Sequence, residues 1–135
     1  MSKKISEIEG IGPALSEKFE KADVTTVESL LKKGASKEGR KQLAETTGLD
    51  ESRILKWVNM ADLFRIKGVG QEYAELLEAA GVDTVKELRN RNATNLAAKM
   101  TEVNTTKKLV RSLPSEKTVE DWVTHASTLE PMITH

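Results

Sequence analysis

Apolar residues recur along the chain at the spacing of an amphipathic α-helix. The clearest stripes fall at i, i+3, i+4 and i+7, which lie on one helix face. They occur at Ile54, Trp57, Val58 and Ala61, and again at Val119, Trp122, Val123 and Ala126. No stretch alternates apolar and polar residues for long enough to require a β-strand. The pattern therefore predicts an all-α protein.

Polar residues that can cap a helix N-terminus precede several of these stretches. Asp50 and Ser115 stand just before the two stripes, and Ser36 precedes a helix that should end near Gly48. Two capping boxes are predicted, Thr25 with Glu28 and Thr84 with Glu87. These signals divide the chain into several short helices.

The chain is internally duplicated. At an offset of 58 residues, Ile8, Gly10, Ile11, Gly12, Val24, Val27 and Leu30 match Ile66, Gly68, Val69, Gly70, Val82, Val85 and Leu88. The offset widens to 65 at the two tryptophan stripes, so the second copy carries about seven extra residues, between about Asn104 and Leu113. We predict a first repeat at residues 1–63 and a second at 64–135, packed as one small helical body. A helix of residues 51–66, free of Pro and Gly, would be shared between them.

Composition limits the function classes that fit the chain. With 135 residues it suits one domain or two very small ones, and Lys+Arg and Asp+Glu are both 21, which leaves no large basic field for histone-like binding. The absence of cysteine excludes disulfides, thiolate metal sites and cysteine nucleophiles. No run reaches the roughly 18 apolar residues of a membrane span, and the N-terminal residues do not resemble a secretory signal. We expect a cytoplasmic protein without a membrane partner.

Motifs of the common enzyme classes are also missing. Leu15 and Tyr73 stand where a dinucleotide fingerprint needs its third glycine, and neither a phosphate loop nor a Gly-x-Ser-x-Gly nucleophile motif occurs. His125 and His135 have no partner at ligand spacing, so neither is predicted to bind metal or to act in catalysis. We expect no catalytic activity, no metal and no small-molecule substrate.

Two similar Gly-apolar-Gly segments carry the most informative chemistry. We call residues 8–12 (Ile-Glu-Gly-Ile-Gly) the first glycine turn and residues 66–70 (Ile-Lys-Gly-Val-Gly) the second glycine turn. Glycines permit backbone angles closed to other residues and let a ligand approach the main chain, while the middle apolar side chain fills the core beneath. Pro13 suits the first turn of a following helix. Amides of the turn and of the helix N-terminus should then converge on an anion such as phosphate.

The residues after each turn extend the similarity. Ser16 and Ala74 stand four residues beyond the second glycine, and Phe19 and Leu77 stand seven beyond it. Both copies resemble the helix-hairpin-helix (SAM-like) family along about 20 residues, near positions 5–24 and 63–82. The whole chain also resembles an uncharacterised bacterial family of tandem helix-hairpin-helix proteins, known only as a domain of unknown function.

The resemblance implies non-sequence-specific contact with a DNA backbone through turn amides. It also implies that a monovalent cation can be held at a hairpin, with no other cofactor. Its site residues here would be Gly10, Ile11 and Gly12 in the first turn, and Arg65, Lys67, Gly68, Val69 and Gly70 at the second. Arg65 and Lys67 favour phosphate, whereas Glu7 and Glu9 beside the first turn repel it. We expect the second turn to be the better site.

Other readings stay open at this point. The turns could serve only as architecture in a helical scaffold that binds another protein, or the chain could be an accessory subunit of a DNA-processing enzyme. Two sets of basic residues could extend a phosphate track or line a solvated face, and interspersed glutamates favour the solvated face. They are Lys32, Lys33, Lys37, Arg40 and Lys41, and Arg89, Arg91, Lys99, Lys107, Lys108 and Arg111. Trp57 and Trp122 could stack bases, but their place in apolar stripes favours the core.

Overall fold

A computed structural model describes residues 3–8 and 10–134 and confirms the all-α prediction for them. The helices are the 3-10 helix Ile5–Glu7 and α1 (Pro13–Glu20), α2 (Val27–Gly34), α3 (Lys37–Thr47), α4 (Glu51–Leu63), α5 (Gln71–Ala79), α6 (Val85–Leu88), α7 (Ala93–Lys107) and α8 (Glu116–Ser127). An isolated antiparallel bridge joins Lys4 and Thr26. None of the helices in these residues is both long and apolar enough to cross a membrane. The inferences drawn on Glu9 and His135 lie outside the described residues.

The chain forms two compact units. The first unit is Met1–Asp62 with Met132–His135, and the second unit is Leu63–Pro131. Helix α4 ends at Leu63, so the prediction that it extends to about Ile66 was wrong. The helix stops because the next amides make tight turns, Ile66 N donating to Leu63 O and Val69 N to Ile66 O, both at 3.1 Å. Gly68 then leaves the helical region at φ +90°.

Phe19 lies at the centre of the first unit's core. Its side chain is 0% exposed, and its ring meets the Trp57 ring edge-on, with 5.7 Å between centroids and 79° between planes. The 3-10 helix, the first turn, α2 and α4 of this unit also contribute buried aliphatic residues, among them Ile5, Ile8, Ile11, Leu30, Ile54 and Val58. Burial of one apolar face of each helix in this way is the main source of stability for short helices.

Arg40 is buried in the first unit rather than on its surface. Its guanidinium donates to Gly34 O at 2.8 Å, to Ala35 O at 3.1 Å and to Thr134 O at 2.6 Å. Burial lowers the pKa of Arg40 from its ordinary value, and the charge of Glu51 partly opposes that change. The prediction of a phosphate track or a solvated face was therefore wrong for Arg40, because main-chain carbonyls occupy its donors.

The second unit buries the counterparts of the first unit's core residues. They are Ile66, Val69, Leu77, Val82, Val85, Leu88, Val119, Trp122 and Ala126. Trp57 and Trp122 are 5% and 3% exposed, which confirms that both tryptophans pack in the core and gives neither a face for base stacking. The duplication seen in the sequence is thus a duplication of core positions.

Most of the predicted helix caps are confirmed. Ser36, Thr84 and Ser115 each accept a hydrogen bond from the amide three residues on, and Gly48 ends α3 at φ 75°. Asp50 Oδ1 accepts from Ser52 N at 3.1 Å.

The capping box at Thr25 and Glu28 was wrong by one residue. Thr26 is the cap, because its Oγ1 accepts from Ser29 N at 3.0 Å while Ser29 Oγ accepts from Thr26 N at 3.1 Å. Thr25 belongs to the preceding extended segment, where its carbonyl accepts from Ile5 N at 3.1 Å. The carbonyl of Thr25 is therefore bonded to Ile5 and not to the helix, whereas the carbonyl of Thr26 accepts from Leu30 N in the first turn of α2.

The extra residues of the second copy lie at the end of α7 and in the segment after it. Helix α7 has 15 residues where α3 has 11. Residues 48–50 connect α3 to α4, whereas residues 108–115 connect α7 to α8. We call residues 108–115 the inserted loop. It lies in the region where the widening of the repeat offset predicts the insertion.

Candidate functional site

The two glycine turns have the same backbone geometry. Gly10 and Gly68 adopt φ +91° and +90°, in the left-handed region. Gly12 and Gly70 have extended conformations, with φ −88° and −100°, and act as N-caps of α1 and α5. The duplication therefore includes the local structure that the candidate site needs.

The first glycine of each turn is required for two reasons. A positive φ is strained for any residue with a side chain. In addition, a Cβ at Gly10 would lie 3.3 Å from Trp57 Nε1, and a Cβ at Gly68 would lie 3.4 Å from Trp122 Nε1. Each turn thus passes directly over the indole N–H of a buried tryptophan.

The second glycine of each turn faces open space. No heavy atom lies within 4 Å of a Cβ built on Gly12 or on Gly70. A ligand can therefore approach the main chain at these positions without meeting a side chain. Neither α1 nor α5 receives a side-chain hydrogen bond at its N-cap, so the positive end of each helix is not neutralised by a cap.

The structure divides the turn amides predicted as donors into two groups. The amides of Ile11 and Val69 already donate to Ile8 O and Ile66 O within the turns, both at 3.1 Å, and their side chains are buried. The amides of the four glycines donate to no acceptor within residues 3–8 and 10–134. Gly10, Gly12 and Gly68 are exposed and Gly70 is half-buried. The glycine amides are thus the donors left for a ligand.

Charged residues differ between the two turns. At the second turn Lys67 is exposed and Arg65 is half-buried. The Lys67 amide donates to His125 Nδ1 at 3.1 Å, which gives His125 a structural part in holding the turn. At the first turn, Glu7 is exposed and its Oε2 accepts from Lys4 N at 3.0 Å. The exposed side chain beside the second turn is thus basic, whereas the first turn has the carboxylate of Glu7 beside it.

Sequence reasoning missed a cleft beside the second turn. The cleft has a volume of about 580 Å³, and besides Gly68 and Gly70 its walls include Tyr73, Arg111 and Ser112. We call it the second-turn cleft. Arg111 appeared in the sequence only as part of a loose basic stretch. The widening of the repeat offset was the one sequence signal for this cleft, because it marks the inserted segment in which Arg111 lies.

The described residues offer no obvious metal site. No group of three or more His, Asp or Glu residues in positions 3–8 and 10–134 is arranged to hold a metal ion. The second turn and its cleft bring together main-chain donors, the cationic side chains of Lys67 and Arg111, and the carboxylate of Glu72.

A family model described as "Domain of unknown function (DUF4332)" matches residues 9–129. Comparison with curated proteins gave no match, and comparison with solved structures gave none either. Since the matched region covers nearly the whole chain, the chain belongs to the family described as a domain of unknown function, DUF4332.

Proposed function

We propose that this protein binds a nucleic-acid backbone without regard to base sequence, and without catalysing a reaction, through its two glycine turns. The turns act as tandem helix-hairpin-helix motifs. DNA is the ligand that the resemblance implies. A cytoplasmic location and a bacterial origin stay predictions from the sequence.

The observation that carries the proposal is the accessibility of the glycine amides. In each copy the helix that follows the glycine turn has no side-chain hydrogen bond at its N-cap. The two glycine N–H groups of the turn also have no acceptor among the described residues. Amides at a helix N-terminus bind phosphate because their N–H groups and the helix dipole both favour negative charge. Contacts to phosphate position a protein on nucleic acid but carry no base information.

The second turn is the stronger site in this proposal. Lys67 is exposed beside it, and Arg111 lines the cleft that Gly68 and Gly70 share. The first turn has the exposed carboxylate of Glu7 nearby. Because Lys+Arg and Asp+Glu are equal at 21, attraction depends on this local charge and the affinity should be modest.

A titration with labelled oligonucleotides tests the proposal. Two duplexes of about 20 base pairs with unrelated base sequences should bind with equal affinity at about 50 mM salt. Both affinities should fall as the salt concentration rises, because phosphate contacts release counterions. A slope of log K against log salt of about −1 to −3 would fit one to three phosphate contacts. A matching single strand shows whether duplex geometry is needed.

Absence of binding at tens of micromolar protein, with the helical circular dichroism signal intact, would contradict the proposal. It would favour the second candidate, a helical scaffold that uses the turns only as architecture and binds another protein. One observation supports that candidate: Leu113 on the inserted loop is 40% exposed, which is unusual for a large apolar side chain among the residues described.

A further inference from the structure

The inserted loop distinguishes the two copies of the duplicated fold. In the first unit α3 is followed by only residues 48–50, whereas residues 108–115 follow α7. The loop places Arg111 and Ser112 in the wall of the second-turn cleft. The shorter connection of the first copy, residues 48–50, contains no arginine, and Arg53 of α4 instead lies over the Trp57 ring, 4.9 Å from its centroid.

Two side chains fix the path of the inserted loop. Asn104 Oδ1 accepts from Val110 N at 3.0 Å and its Nδ2 donates to Val110 O at 3.2 Å. Tyr73 Oη donates to Ser112 O at 3.0 Å. The loop residues on both sides of Arg111 are therefore held, so the arginine is carried to the cleft by a defined structure.

The first copy lacks both of these anchors. Gly48 N and Lys108 N donate to Ala44 O and Asn104 O, which makes Ala44 the counterpart of Asn104. Leu15 is the counterpart of Tyr73 at the offset of 58 residues. The anchoring residues thus occur only in the copy that has the loop.

Charges in the cleft are mixed but leave Arg111 available. Arg111 is exposed and forms no salt bridge with any residue that the structure describes. Glu72 also lines the cleft and opposes anion binding. A guanidinium forms two parallel hydrogen bonds with phosphate oxygens, which makes it a stronger phosphate ligand than the amides alone.

Trp122 supplies an independent sign that the turn takes an acceptor. Its side chain is 97% buried, and Nε1 faces Gly68, 3.4 Å from the place of a Cβ there. No described residue accepts a hydrogen bond from this Nε1, and the atom is not fully buried, so it reaches solvent. Trp122 lines a pocket that shares Gly68 and Tyr73 with the second-turn cleft and also has Lys67 and Asp121 in its walls. Because an indole N–H only donates, this donor is open to an acceptor that enters that pocket.

We propose that the second-turn cleft is a phosphate site in which Arg111 supplies the positive charge, and that the inserted loop makes the second copy the binding copy. The glycine amides are its neutral donors, and the Trp122 indole lines the pocket that shares Gly68 with the cleft. The ligand class, a backbone phosphate of nucleic acid, rests on the proposed function; the site itself rests on the loop, the cleft and the unpartnered indole. Free phosphate shares the same chemistry and is separated from nucleic acid by the test.

Arg111→Gln tests the proposal, with Lys107→Gln as the control that removes the same charge from an exposed position outside the cleft. Duplex affinity should fall about tenfold in Arg111→Gln, with the salt slope reduced by about one, and should change less than twofold in Lys107→Gln. In NMR spectra of the wild-type protein, inorganic phosphate should shift the Gly68 and Gly70 amide signals and the Trp122 indole signal. The shifts should be lost in Arg111→Gln.

The outcomes separate this inference from the proposed function. If the duplex binds but Arg111→Gln behaves as wild type, the arginine site is overturned while backbone binding stands. If phosphate shifts the three signals but no duplex binds, the site stands and the proposed function is overturned. If phosphate shifts none of them, the site is overturned.

Discussion

Replacing Phe19 with Ala should lower the unfolding free energy of the first unit by about 3–5 kcal/mol, the usual cost of removing a buried aromatic ring. The ring is 0% exposed and lies edge-on to Trp57 at 5.7 Å, so the substitution leaves a cavity and removes an aromatic contact. Urea unfolding followed by tryptophan fluorescence and circular dichroism measures the change.

Leu113→Ala is the matched control for this loss of apolar volume. Because Leu113 is 40% exposed, its truncation should change stability by no more than about 0.5 kcal/mol. If Phe19→Ala also stayed within about 1 kcal/mol of wild type, the ring could not occupy the core position described here.

The largest effect on binding is expected from Gly70→Val. Gly70 is extended at φ −100° and ψ −167°, a conformation that valine favours, and a Cβ there meets no atom within 4 Å. The fold should therefore persist with a cost of about 1 kcal/mol at the N-cap. The valine side chain would fill the space beside the Gly70 amide, so duplex affinity should fall at least about tenfold because a phosphate contact is lost.

Gly12→Val is the control in the first turn. Gly12 has nearly the same geometry, φ −88° and ψ −172°, with the same open space, so it matches the change in volume and conformation. We expect less than about a twofold loss of affinity, because electrostatic attraction favours the second turn. Equal losses in the two variants would show that the turns contribute equally, and unchanged affinity in both would remove the turns from the interface. Titration by fluorescence anisotropy distinguishes these results.

The two turns have the same backbone conformation but differ in the side chains around them. Gly10 and Gly68 have φ values of +91° and +90°, yet Leu15 and Tyr73 occupy equivalent places beside them. Tyr73 holds a loop that carries Arg111, and Leu15 has no hydroxyl to hold one. The two copies therefore present the same turn geometry with different side chains around it, and only the second has Arg111 in the adjoining cleft.

Periodicity and duplication predicted most of the fold because they report burial directly. Trp57 and Trp122 are in the core as their stripes required. The duplication also indicates the correct capping residue, because the offset of 58 residues aligns Thr26, not Thr25, with the helix cap Thr84. Local sequence spacing alone could not choose between adjacent threonines, whereas the repeat could.

The positions of side chains that depend on partners far away in the chain could not be predicted from the sequence. One of the three carbonyl oxygens that accept hydrogen bonds from the buried Arg40 belongs to Thr134, 94 residues away. Arg111 lies in the second-turn cleft on a loop whose neighbouring residues are bonded to Asn104 and Tyr73. The sequence contains no spacing signal for the partner of Arg40, and for Arg111 the widened repeat offset marks the extra segment but not its position beside the turn.

Whether the glycine amides meet phosphate can be decided by an amide chemical-shift titration of the isotope-labelled protein with a mixed-sequence duplex at about 50 mM salt. If the glycine amides meet phosphate, the signals of Gly68 and Gly70 should move first and furthest, with smaller changes at Gly10 and Gly12. A duplex that binds while all four glycine signals stay in place, and shifts only signals on other helices, would contradict the account.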